Sequence, residues 1–175
     1  MKERLETKRL LLREFREDDA LMMFSNWAND PKVTEYMTWE PHNNIEVTKF
    51  IINKWLEKYN NPKTVRFAIT LKDTKELIGS IDIVAFIDDK PEIGYCLSRK
   101  YWNQGIMTEA CNAVVDYIFS LGYQEIVIEA HVDNIGSNRV IQKCGFVFTH
   151  QETRPCSEIK PEMITVNWYK KVKNN

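Results

Sequence analysis

The chain has 175 residues, with 24 Lys and Arg against 25 Asp and Glu for a net charge of −1, and is 43% hydrophobic and 28% charged. These values are close to those of an ordinary soluble globular protein, and the length suits one domain spanning residues 1–175. The charge balance makes no case for a nucleic-acid partner. No apolar run approaches the roughly 18 residues of a membrane span, and the N-terminal MKERLETKRLLL lacks a signal-peptide core.

In chain order, RLLLREF places Leu10 and Leu12 on one strand face, with Arg9, Leu11 and Arg13 on the other. Asp18 or Asp19 is expected to cap a helix through Leu21, Phe24 and Trp27. NDPKVTEYMTWEPHNN reads as a loop, followed by a helix near residues 45–59. VRFAITL and ELIGSIDIVAF read as strands joined by the turn KDTK in a hairpin, and PEIGYCLS as a further strand. After RKYWNQGIMTEA a long helix runs to about Leu121, with Met107, Ala110, Cys111, Val114, Val115, Ile118 and Leu121 at helical spacing. EIVIEAHV alternates cleanly, with Ile126, Ile128, Ala130 and Val132 on one face. A short helix follows, capped by Asn134 and stopped by Gly145, with Val140, Ile141 and Cys144 inward. FVFTHQ and MITVNWYKK are the closing strands, and Lys170, Lys171 and Lys173 are expected to keep the tail solvated. The interleaving of strands and helices makes the class a mixed α/β sheet with helices on both faces.

The four cysteines, Cys96, Cys111, Cys144 and Cys156, form no C-x-x-C pair. Neither a metal site nor a disulfide framework is expected, and a reducing cytoplasm is the simplest home.

The segment at residues 99–108 links a strand to a helix, and the first amides of a helix have no intrahelical partner. With the helix dipole they form an anion site suited to phosphate. Gly105 lets the backbone approach a ligand, and Arg99 and Lys100 add positive charge. The plain alternative is that Asn103 caps the helix and Gly105 is incidental. A single-glycine loop matches neither the nucleotide nor the dinucleotide pattern.

Read together, ETKRLLLRE, NDPKVTEYM, EIGYCLSRKYWNQGIMTEA and DNIGSNRVIQKCGF resemble the GNAT superfamily of N-acetyltransferases, in its RimJ/RimL-type branch, over roughly residues 5–169. The resemblance implies a mostly antiparallel sheet of about seven strands, splayed beside the strand that takes acetyl-CoA. It implies that the pyrophosphate loop, Q/R-x-x-G-x-G/A in the family, falls on Trp102, Gly105 and Met107. Trp102 is similar to the W-G-K-G variant of the branch, and Met107 stands where the family keeps a small residue. Cofactor contacts are thereby implied at Trp102, Asn103, Gln104, Gly105, Ile106, Met107 and Thr108, and through the main chain at Cys96, Leu97 and Ser98. Asn134 and Ser137 match the family's N-x-x-S, the asparagine toward the cofactor arm and the serine near its sulfur, although both are also ordinary helix-start residues. Many members carry a tyrosine where this chain has Ile141, which leaves Ser137 or water to protonate the leaving thiolate.

Acetyl transfer from a thioester to an amine requires a deprotonated amine and a donor to the developing oxyanion. A strand amide can be that donor. Near pH 7 a lysine-like amine costs roughly 4–5 kcal/mol to deprotonate, an α-amine only about 1. None of His42, His131 and His150 is obviously poised as a base. Glu92, at the mouth of the cofactor strand, is the better candidate, acting through water, with Glu158 as an alternative and a merely solvated glutamate as the plain reading. Such modest base equipment suits an α-amine, whether of a peptide N-terminus or a small molecule. Trp27, Tyr36 and Trp39 fall where the family lines its acceptor side, although aromatics there also serve as core. The expectation is an acetyl-CoA-dependent enzyme that needs no metal and transfers directly in a ternary complex. A non-catalytic acyl-CoA-binding module stays open, as does a homodimer.

Overall fold

The computed structural model describes residues 4–173. Eight strands form one sheet: β1 (Leu5–Glu6), β2 (Leu10–Arg13), β3 (Arg66–Leu71), β4 (Leu77–Ile87), β5 (Lys90–Leu97), β6 (Glu125–His131), β7 (Val147–Pro155) and β8 (Met163–Val172). The helices are α1 (Ala20–Met23), α2 (Pro31–Thr34), α3 (Ile45–Lys58), α4 (Ile106–Ser120) and α5 (Ile135–Lys143). The strand order is β1-β2-β3-β4-β5-β6-β8-β7, antiparallel throughout except for the parallel β5–β6 join. The strand beyond the expected seven is β1, which folds back on β2 where Thr7 N donates to Leu10 O at 3.0 Å.

Each sheet face buries its own apolar cluster. On one, Leu10, Leu12, Ile93 and Leu97 pack with Ile106, Met107, Ala110, Val114 and Ile118 of α4 and with Ile141 of α5. On the other, Ala68, Leu77 and Cys96 pack with Met23, Trp27 and Ile52. Strand alternation assigns the faces: Ile93, Tyr95 and Leu97 turn toward α4, while Glu92, Gly94 and Cys96 turn toward α1 and α3.

Several local expectations are corrected. The helix through Trp27 is broken: a 3₁₀ turn (Glu17–Asp19) leads into α1, and a π turn (Phe24–Ala28) follows it. Asp19 is no N-cap. Its carboxylate accepts the Arg16 amide at 2.8 Å and both ends of the Arg13 guanidinium at 2.7 Å, a bidentate buried pair. The segment NDPKVTEYMTWEPHNN contains α2, started by Pro31 and capped by Asp30, which accepts from Lys32 N at 2.9 Å. Leu121 follows the last turn of α4 and is half exposed. The closing lysines cap helix ends rather than solvate a tail: Lys171 Nζ donates to Cys144 O at 2.6 Å and Lys173 Nζ to Phe119 O at 3.1 Å, placing cations at the C-termini of α5 and α4. All four cysteines are free and buried.

The feature that matters for the site is the β5–β6 join. Its register holds one pair, Glu92 with Val127. Toward their C-terminal ends the two strands part, while β5 stays paired to β4 through Leu97 and Gly79.

Trp27 is wholly buried, so Trp27→Ala should lower the unfolding free energy by about 3–5 kcal/mol in a urea titration. Leu21→Ala, on the exposed face of the same segment, should change it by less than about 0.5 kcal/mol.

Candidate active site

A cavity of about 480 Å³ opens where β5 and β6 separate. Its walls come from Tyr95, Cys96 and Leu97 of β5, the loop and first turn of α4, the N-terminal half of α5, and Val33, Tyr36 and Met37 around α2.

The main chain of β5 faces this cavity selectively. Ser98 N donates to Ile78 O at 2.7 Å. Because amide directions alternate along a strand, Cys96 also turns its N–H and C=O toward β4, and Tyr95 and Leu97 turn theirs into the gap. Of the three expected main-chain positions, Leu97 turns its groups into the gap while Cys96 and Ser98 turn theirs toward β4, and Tyr95 adds a position that was not expected. Of the Leu97 groups, the carbonyl is already taken by the Trp102 indole, Nε1 to O at 2.8 Å, which leaves its amide facing the opening.

Between β5 and α4 the chain makes a 3₁₀ turn (Arg99–Tyr101) and then two left-handed residues, Asn103 at φ 59° and Gly105 at φ 71°. Gly105, not Asn103, is the residue that caps α4. A Cβ there would meet nothing closer than an arginine side-chain nitrogen at 3.6 Å, so the glycine serves the backbone angle rather than relieving crowding. The first backbone bond of α4 runs from Glu109 N to Gly105 O. The amides of Ile106, Met107 and Thr108 precede it and have no intrahelical acceptor. Met107, despite its size, buries its side chain in the core and leaves the turn unobstructed. Trp102, Asn103, Gly105, Ile106, Met107 and Thr108 line the cavity, whereas Gln104 and Ser98 do not.

Facing this loop, Asn134 caps α5 by accepting from Ser137 N at 3.1 Å. Ser137 Oγ lies 2.9 Å from Tyr95 Oη. Burial pushes the Tyr95 phenol far up, so it stays protonated. Nothing local in the sequence marks Tyr95, because its partner Ser137 lies on a different element, far along the chain. The cations expected to serve the loop are engaged elsewhere: Arg99 pairs with Asp30 at 3.1 Å and Lys100 with Glu76 at 3.6 Å. Lys32, Arg139 and Lys143 line the cavity instead. Arg139 and Lys143, four residues apart on α5, carry no local motif that could have announced them.

Glu92 lies on the opposite face of β5 from Tyr95, where β5 and β6 still pair. Its neighbour is Glu129, two residues past Val127 on β6, and Arg154 of β7 ion-pairs with Glu129. Burial first, and then the Glu129 charge, raise Glu92 to about 7, with Arg154 opposing them. Glu129 Oε2 is buried without a hydrogen-bond partner among the described residues. Ser137 lines the cavity, whereas Glu92 does not: it sits on the other face of β5, beside Glu129.

Of the three expected acceptor aromatics, Tyr36 alone reaches the cavity, and its ring packs 4.9 Å from that of His131. Trp27 is core. Trp39 packs on the α1–α3 cluster and against His42, ring centroids 5.3 Å apart. His42 is fixed to Thr48 at 2.7 Å and His150 stacks on Trp168. His131 accepts the Asp133 amide through Nδ1 at 3.1 Å. Glu158 is exposed in the β7–β8 loop. Burial first raises the Cys96 thiol to about 11, so it is no nucleophile at neutral pH.

Comparison with known proteins agrees with this geometry. The family described as an acetyltransferase (GNAT) domain matches residues 9–147. The uncharacterized N-acetyltransferase YoaA of Bacillus subtilis (strain 168) is 37% identical over 145 residues, 81% of either chain. An acetyltransferase (GNAT family) crystal structure from Bacillus anthracis superposes with a TM-score of 0.83 at 24% identity, covering 97% of this chain and 98% of that one. RimL, a ribosomal L7/L12 alpha-N-protein acetyltransferase solved in complex with coenzyme A, superposes with a TM-score of 0.81 at 20% identity, covering 97% and 98%. A splayed sheet, an amide-rich loop at the opening and a matching family over most of the chain lead to one conclusion: this protein belongs to the GNAT acetyltransferase family and is an N-acetyltransferase.

Proposed function

We propose that this single-domain chain is a cytoplasmic, RimJ/RimL-type enzyme that transfers the acetyl group of acetyl-CoA to a primary amine, with a peptide or small-molecule α-amine as the favoured acceptor. The observation that carries this reading is the cavity where β5 and β6 part, with the unpartnered amides of the α4 entry on one wall and the α5 entry on the other. The residues present fit the cosubstrate. The amides of Ile106, Met107 and Thr108 suit a pyrophosphate at a helix N-terminus, and Arg139 and Lys143 add charge from the facing α5 wall of the same cavity. The amides of Tyr95 and Leu97 suit an extended, amide-bearing arm that adds to the sheet edge. That RimL was solved with coenzyme A on a closely similar backbone supports the same placement.

Bound acetyl-CoA supplies the activated acetyl thioester; the protein supplies position and proton handling. Ser137 and Tyr95 present a pair of hydroxyls on the α4 side of the opening, suited to donate toward a leaving sulfur. On the other side Glu92, titrating near 7, takes the proton of the incoming amine through water. A base near 7 is matched to an α-amine with pKa about 8 and is far from matched to a lysine near 10.4. Transfer is direct, since burial keeps the Cys96 thiol protonated, with its Sγ 3.3 Å from Ser80 Oγ.

A thiol-release assay with acetyl-CoA and a panel of amines tests the reaction. Turnover is expected on peptide N-termini or small α-amines, and absence of thiol release across the panel refutes the enzyme reading. Mass spectrometry during turnover should find no acetyl adduct on Cys96.

After correction for ionisation of the acceptor amine, the acid limb of kcat/KM should fall near pH 7 and disappear in Glu92→Gln. Glu129→Gln should move that limb to lower pH, because removing a like charge favours ionised Glu92. The same shift has a stability consequence. A carboxyl raised from 4.5 to about 7 in the folded state costs stability as pH rises through that window. Glu92→Gln should therefore raise Tm at pH 8 and leave it nearly unchanged at pH 4.

A further inference from the structure

The turn between β1 and β2 in LETKRLLL lies nearly one hundred residues from the α4 entry, yet the two are tied together. Thr7 Oγ1 donates to Glu109 Oε1 at 2.6 Å, and Arg9 N donates to the same oxygen at 2.8 Å. Arg9 Nε donates to Glu109 Oε2 at 2.7 Å, and Arg9 Nη1 reaches the carbonyl of Gln104 at 2.9 Å. The second guanidinium nitrogen, Nη2, lies 3.6 Å from where a Cβ of Gly105 would stand. One guanidinium thus spans the loop from Gln104 to the first turn of α4. Neither Arg9 nor Glu109 lines the cavity, so the grip comes from behind the loop.

We infer that Arg9 and Glu109 are a positioning pair that fixes the shape and the charge of the loop at the α4 entry. The shape argument is geometric. The Gln104 carbonyl is held by a rigid fork, two of whose nitrogens are committed to fixed acceptors, while Glu109 takes three donors and its side chain is only 18% exposed. The charge argument is independent. A carboxylate in the first turn is ordinarily favourable at a helix N-terminus, but here that terminus is the anion site. An unpaired Glu109 would repel the same pyrophosphate the free amides attract, and Arg9 cancels it. Glu109 is ionised in this setting: burial alone would raise its pKa, and the hydrogen bonds from Thr7 and Arg9 bring it below the usual carboxylate range.

The pair predicts an asymmetry that a purely structural brace does not. Arg9→Met leaves an uncancelled negative charge at the anion site, whereas Glu109→Gln leaves an uncancelled positive one. This rests on the acetyl-CoA reading, and two measurements separate the two ideas. The first is titration calorimetry with CoA, alongside acetyl-CoA KM and kcat. Arg9→Met should weaken CoA binding about five- to tenfold, with kcat at saturation within about twofold of the parent. Glu109→Gln should bind CoA better than Arg9→Met, and the double variant should recover most of the loss. Arg9→Lys, which keeps the charge and loses the fork, should fall between the parent and Arg9→Met. Equal weakening in Arg9→Met and Glu109→Gln, or losses that simply add in the double variant, would overturn the charge role. The second is hydrogen exchange of the ligand-free protein, in which the Glu109 amide, bonded to Gly105 O at 3.0 Å, should exchange faster in Arg9→Met and Arg9→Lys. Unchanged exchange there overturns the positioning role. Absence of CoA binding by the parent protein refutes the cofactor reading and leaves the exchange result to decide the pair on its own.

Discussion

The separation of β5 from β6 is the constraint on which the rest of this molecule depends. Two parallel strands that pair at one position and then diverge expose a strip of main-chain amides inside a protein, where unpaired polar groups are costly. The fold keeps that strip by anchoring β5 on its other side to β4 and by roofing the gap with the entries of α4 and α5. What would be a defect in an ordinary sheet is here an opening with hydrogen-bond donors on its rim.

Divergence also explains how one strand can serve two chemistries. Consecutive residues of β5 look toward opposite faces, so Tyr95 meets Ser137 on the α4 side while Glu92 meets Glu129 and Arg154 on the other. At the parted strands the Tyr95 and Ser137 hydroxyls line the cavity, while Glu92 stays on the other face, where β5 and β6 still pair. The α4 entry follows the same economy: its free backbone amides face the cavity, and the loop before them is shaped by Gly105 at φ 71° and by a clasp reaching in from the N-terminal turn.

The strand and helix alternation, the hairpin at KDTK and the buried face of α4 were all legible, because each rests on periodicity or turn chemistry that is local in sequence. The elements around residues 17–34 were less so. A π turn at Phe24–Ala28 shifts the helical phase, and a buried Arg13–Asp19 pair claims the carboxylate that would otherwise cap the helix. The aromatics divided for the same reason. Trp27 and Tyr36 look alike as residue types, and only the packing of α1 against the sheet sends one to the core and the other to the cavity wall.

By itself the sequence determined the family, through motifs whose order spans most of the chain, and with it the fold, the glycine at the loop and the capping asparagine of α5. These depend on φ angles, helix starts and short spacings that neighbouring residues encode. Only the tertiary structure decided which backbone groups face the gap, that Tyr95 stands beside Ser137, that Glu92 is raised by Glu129, and that Arg9 grips Glu109 across the chain. Each of these is a contact between segments distant in sequence, and its energy depends on a separation and a burial that exist only once the sheet has formed.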